Sequence, residues 1–125
     1  MSTPTIQRYQ DIDQEWRWRL LGSDGHPLAD GTIAFADGSA LGDHLDWLRG
    51  AILSATIVTD PDAVPSSPTI VIHEGTDDEW RWRFEADADH VADSGEGYAT
   101  VEAAIEAAER TQSAITNATI STWNG

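Results

Sequence analysis

The side chains with the most chemical potential sit in one pentapeptide that occurs twice. Glu15-Trp16-Arg17-Trp18-Arg19 returns 64 residues later as Glu79-Trp80-Arg81-Trp82-Arg83. A guanidinium carries a planar fork of donors that matches carboxylate and phosphate groups. Arg17, Arg19, Arg81 and Arg83 are therefore the candidate binding residues. They are four of only 7 basic residues, set against 22 acidic ones in a chain of formal charge −15. Side chains alternate across a strand, so the arginines share one face and the tryptophans the other, and the two sets cannot form one interleaved site. The tryptophans are expected in the core, where aromatic rings bury the most area. Two readings stay open for the arginines. One is cross-strand pairing with nearby carboxylates, worth about 0.2–1 kcal/mol per pair. The other is docking of an anionic ligand or an acidic partner.

Other chemistries find less support. There is no cysteine, which excludes disulfides and thiolate chemistry. Zinc sites need three or four converging ligands. His26 and His90 precede Asp30 and Asp93, but strand alternation would put only His26 and Asp30 on one face, while His44 and His73 are expected in solvent. No metal and no cofactor is expected. No nucleophile elbow, phosphate loop or His-Glu-x-x-His helix is present, so no catalytic residue is assigned. Gly95-Glu96-Gly97 before a helix looks like a turn and not an anion site, because Asp93 and Glu96 would repel the anion.

The elements that position these residues follow from the repeat. The correspondence extends from Thr5, Ile6 and Asp13 against Thr69, Ile70 and Asp77 to Ala55-Thr56-Ile57 against Ala118-Thr119-Ile120. Ile70 and Ile72 alternate with Thr69, Val71 and His73 as a first strand. Trp16, Trp18 and Leu20, and likewise Trp80, Trp82 and Phe84, line one face of a second. Ser23-Asp24-Gly25 is a hairpin turn into a short third strand ending at Asp30. Leu41, Leu45, Leu48 and Ile52 mark a helix, as do Val101, Ala104, Ala108 and Ile115. Thr100 is the expected N-cap of the second helix, and Ser39 or Asp37 that of the first. Ala55 to Thr59 and Ala118 to Trp123 are candidates for one more strand after each helix. The predicted organisation is a first repeat at 1–59, a proline-rich linker at 60–68 and a second repeat at 69–125.

These residues resemble the YegP-like family, a domain of unknown function. The resemblance rests on aromatic-Arg-aromatic-x-Leu, a short turn, and then Ser-x-x-x-Tyr leading into a helix. Ser94-Gly95-Glu96-Gly97-Tyr98 matches in the second repeat, while Gly31 and Phe35 replace that Ser and Tyr in the first. The resemblance implies an α+β fold of two tandem strand-strand-strand-helix repeats. It also implies an antiparallel sheet with the helices on one face and a pseudo-twofold axis between the copies. It implies no activity.

Composition adds the setting. The absence of lysine beside so many carboxylates is the pattern of a cytoplasmic protein kept in concentrated salt, where a Debye length of about 3 Å at 1 M quenches self-repulsion. Acidity argues against nucleic-acid and anionic-membrane binding, which need basic surface. No apolar run approaches the roughly 20 residues of a membrane span. The expected function is that of a small non-catalytic interaction module with another protein as partner. The alternative is an anionic-ligand binder or enzyme using the arginine face or the groove between repeats. The expected solution state is a monomer carrying an internal pseudo-dimer, with a weak homodimer as the alternative.

Overall fold

The computed structural model describes residues 3–59, 68–86 and 89–122. One order of elements, three strands, a helix and a strand, runs through it twice. The first pass is β1 (Thr5–Gln10), β2 (Trp16–Leu21), β3 (Pro27–Gly31), α1 (Gly38–Leu53) and β4 (Thr56–Val58). The second is β5 (Thr69–Glu74), β6 (Trp80–Ala86), β7 (Asp89–Ser94), α2 (Val101–Asn117) and β8 (Thr119–Thr122). The strands form a single 8-stranded sheet in the order β4-β5-β6-β7-β3-β2-β1-β8. Both candidate strands after the helices are present, although Trp123 lies outside the described residues, as does most of the expected linker, at 60–67.

The expected antiparallel sheet is corrected to a mixed one. Six neighbouring strands pair antiparallel, but β4 lies parallel to β5 and β8 parallel to β1. The reason is the path of the chain. The chain leaves the middle of the sheet at β3 and, after α1, adds β4 at one edge beside β5; it leaves the middle again at β7 and, after α2, adds β8 at the other edge beside β1. Each crossover delivers a strand in the direction of its new neighbour, and parallel pairing requires such a long connection.

The core lies between one face of the sheet and the two helices. Ile6, Trp18, Leu20, Ile70, Ile72, Trp82 and Phe84 join Leu41, Leu45, Leu48, Ile52, Ala104, Ala108 and Ile115 in one buried cluster. α1 brings leucines and α2 mainly alanines into this cluster, and the two helices touch each other. Asp37, not Ser39, caps α1, its carboxylate accepting from the Ala40 N–H at 2.7 Å, and Ser39 lies inside the helix. Thr100 caps α2 in the same way, accepting from the Ala103 N–H at 3.1 Å. Such caps satisfy amide groups that a helix start leaves without partners.

Matched local features sit at corresponding places in the two halves. Gln14 and Asp78, in the turns before β2 and β6, both take left-handed backbone with φ of 63° and 64°. The β2–β3 and β6–β7 registers each shift by one residue, after Leu20 and after Phe84. Trp16 pairs with Phe35 and Trp80 with Tyr98 through isolated antiparallel bridges. The helix ends are also cross-tied. Arg49 donates to the Ala118 carbonyl at 2.9 Å, while Gln112 donates to the Ile52 and Ala55 carbonyls at 2.9 and 3.1 Å.

Candidate functional site

Alternation along β2 and β6 sends Trp18 and Trp82 into the core and sends Arg17, Arg19, Arg81 and Arg83 to the face without helices. All four arginines are half-buried. Arg17 donates through Nε to Asp11 at 2.6 Å. Arg81 binds both carboxylate oxygens of Asp77 at 3.0 Å each. Arg83 donates to Glu85 at 2.9 Å. Arg19 donates to the Gln7 side-chain carbonyl at 2.7 Å and lies over the Tyr9 ring. The charged hydrogen bonds leave their mark on the acids. Arg81 pulls Asp77 down to about 2, and Arg17 lowers Asp11.

The register brings to the arginines two aspartates that the sequence placed only beside the histidines. Asp30 sits opposite Arg19, Asp93 opposite Arg83, and Asp30 opposite Asp93. A row Arg19-Asp30-Asp93-Arg83 thus crosses β2, β3, β7 and β6 on one face. Two aspartates face each other at its centre. Burial raises Asp30 above the usual carboxylate range, and the charge of Asp93 adds to this, while Arg19 opposes it. The two acids recur 63 residues apart, a signal available in sequence. Their meeting across β3 and β7 is tertiary, and no local pattern announces it. On the same face Val71 and Thr69 are buried, so the accessible part is centred on β2, β3, β6 and β7.

The histidines depart from expectation. His90 and Asp93 meet at 2.6 Å, because the register shift after Phe84 places Val91 as an extra residue and turns His90 to the side of Asp93. His44 is not in solvent. Its ring lies half-buried between Phe35 at 4.8 Å and Trp47 at 5.4 Å, and burial lowers its pKa. His73 is also half-buried, and its pKa is lowered by burial and by Arg83. Neither joins a ligand cluster. Among the described residues, one acidic group, Asp11, Asp13 and Glu15, brings carboxylate oxygens within 4.8 Å of one another. Asp11 is already bound by Arg17 and by the Asp13 and Glu15 amides, so it organises the turn.

A groove of about 500 Å³ opens where the β2–β3 hairpin of the first half meets α2 and Tyr98 of the second. Its walls include Asp24, His26, Leu28, Glu96, Tyr98 and Arg110. The hairpin is shaped by Gly25, at φ +86°, and by the Asp24 carboxylate, which accepts from the His26 amide at 3.1 Å. His26 lies 3.8 Å from Glu96. Tyr98 is half-buried, and its hydroxyl is raised by burial and by the Glu96 charge, with Arg110 opposing. Volume and lining suit a small ligand.

Among the described residues no helix is long and apolar enough to cross a membrane. Comparison with known proteins gives a fold and a partial family match. No curated protein matches the chain. The solution structure of yegP from E. coli, a protein of unknown function, is similar over 98% of this chain and 94% of its own, at 11% identity and a TM-score of 0.72. The UPF0339 protein SO3888 from Shewanella oneidensis is similar over 96% of this chain and 91% of its own, at 8% identity and a TM-score of 0.70. At such identity these likenesses show the fold. Residues 76–121, which hold the β6-β7-α2 part of the second half, match the family described as "Domain of unknown function (DUF1508)", the family that the pentapeptide and the Ser94–Tyr98 motif resemble.

Proposed function

We propose that the chain is a small non-catalytic interaction module of a high-salt cytoplasm, with the helix-free face of its sheet as the contact surface. The observation that carries this reading is the transverse charge row, Arg19-Asp30-Asp93-Arg83, flanked by Arg17 and Arg81. Central strands hold it, and the carboxylate and amide partners fix each guanidinium before anything docks. An arginine bound on one edge keeps N–H groups for a second acceptor. The matching partner is a protein that offers carboxylates to the arginines and a cation to the central aspartates.

Tandem duplication supports the same picture. We read the chain as a first repeat at 1–59, a linker at 60–68 and a second repeat at 69–125, and this reading is supported by the described strands of both repeats sharing one sheet, with β4 at the edge beside β5 and β8 at the edge beside β1. We read the family as extending over both halves, the first having diverged at Gly31 and Phe35. The second copy in cis makes an internal pseudo-dimer and a monomeric chain, favoured by a millimolar effective concentration. A charge of −15 without lysine supports the salt-adapted setting.

The test is capture of a partner from native extract at molar salt, with wild type beside Arg17→Gln/Arg81→Gln. Loss of capture that lysine at the same positions does not restore is expected, because lysine lacks the bidentate fork. Undiminished capture removes the arginine face. A second reading is favoured by the inter-repeat groove, whose polar groups converge on a volume fit for a small ligand.

A further inference from the structure

Resting on that second reading, we propose that the inter-repeat groove binds a small zwitterion of the α-amino-acid type, with its carboxylate on Arg110 and its ammonium between Asp24 and Glu96. Arg110 stands apart from the other arginines. Arg8 donates to the Gly38 carbonyl, Arg49 to that of Ala118, and the four sheet arginines to Asp11, Gln7, Asp77 and Glu85. Alone of the seven arginines, Arg110 has no hydrogen bond or ion pair to another described residue, in a chain with a threefold excess of acid. It lines the groove together with Asp24 and Glu96.

The mixed charge decides the ligand class. A phosphate or a dicarboxylate would meet Arg110 but also the carboxylates of Asp24 and Glu96 in the same groove. A simple amine would leave Arg110 unused. A zwitterion meets both signs. Leu28, Ala114 and the Tyr98 ring supply an apolar wall for a side chain. The Tyr98 hydroxyl feels both Glu96 and Arg110, so the two charges act on one point of the groove.

The corresponding places of the first half, 63 residues earlier, show the contrast. Trp47 stands where the second half has Arg110, Phe35 where it has Tyr98, and Gly50 where it has Ser113. There Trp47, itself partly exposed, lies tilted against His44 at 5.4 Å and Phe84 at 6.4 Å. The first half sets aromatic rings at two of these positions and glycine at the third, whereas the second half sets polar groups at all three along the groove.

Titration of the isotopically labelled full chain at molar salt, followed by amide NMR shifts, tests the proposal. The probes are the free α-amino acids taken singly and, for the best of them, its N-acetyl derivative and its decarboxylated amine. At least one amino acid is expected to shift groove amides saturably, and both derivatives to bind at least about tenfold more weakly. Arg110 is exposed on α2, so Arg110→Gln should fold, and it is expected to weaken the amino acid about tenfold or more while leaving the amine unaffected. If the N-acetyl acid or the amine saturates the groove as well as the parent does, the zwitterion class falls and a small-ligand groove survives. If no probe shifts groove amides, both fall.

Discussion

Adding one methyl group at Gly31 tests the packing beneath the charge row. A Cβ there would lie 2.2 Å from Nε1 of Trp18 and 2.6 Å from its Cδ1 and Cε2. An ordinary contact begins at about 3.4 Å, so the indole must retreat by about 1.2 Å or the strand must bend. Trp18 is fully buried and cannot yield cheaply. An overlap this deep falls in the upper part of the usual overpacking range, about 2–3 kcal/mol, against up to about 1 kcal/mol returned by the lower entropy of the unfolded chain. For a chain of 125 residues about 1 kcal/mol moves the midpoint by roughly 4 °C. Gly31→Ala should therefore lower Tm by roughly 4–8 °C in thermal unfolding at fixed high salt. Gly50→Ala is the control, since a Cβ there meets nothing within 4 Å inside α1, and it should stabilise by about 0.5–1 kcal/mol. Trp18→Phe should relieve the Gly31→Ala defect, and it sacrifices no hydrogen bond because the indole N–H has no partner. Gly31→Ala at or above wild-type stability would refute the reasoning, and with it the view that glycine replaces the serine of the other half so that Trp18 can pack there.

Three further outcomes are expected. Arg49→Ala and Gln112→Ala, which untie the helix ends, should each lower stability by about 1–2 kcal/mol in denaturant unfolding with an unchanged slope; a loss under about 0.5 kcal/mol for both would show the ties to be incidental. Burial holds His44 below its usual 6.5, so as pH falls through 6.5 the unfolded chain takes up a proton that the folded chain resists, and stability present above that pH is lost. Between about pH 7.5 and about pH 5, wild type should lose more stability than His44→Leu, and equal losses would contradict the assignment. Raising potassium chloride from roughly 0.05 M to 2 M should raise the thermal midpoint and shift tryptophan emission to the blue, and an unchanged midpoint would count against salt adaptation.

The strands, helices and core were legible because their signals are local. Trp16, Trp18 and Leu20 at period two, and Leu41, Leu45, Leu48 and Ile52 at helical spacing, name their buried faces directly. The parallel edges were not legible. The hydrophobic pattern of Thr56–Val58 marks a strand but carries no information about which of two distant partners it joins. The four arginines were visible as a repeated motif, while their aspartate neighbours in the row depend on β3 meeting β7. His90 escaped because a strand with an extra residue reverses alternation. The groove was out of reach for a similar reason. Asp24 and Arg110 lie 86 residues apart and line one groove only because α2 comes beside the β2–β3 hairpin.

Because the chain contains no lysine, arginine-specific labelling reports on almost all of its positive charge at once. The most direct test of the helix-free face is phenylglyoxal footprinting at molar salt, comparing the free chain with the chain bound to its captured partner and locating adducts by mass spectrometry. Protection of Arg17, Arg19, Arg81 and Arg83 with Arg110 unchanged is the outcome expected of a docking surface on β2 and β6. Unchanged labelling of those four in the bound state, with protection confined to Arg110 or to the helices, would contradict it.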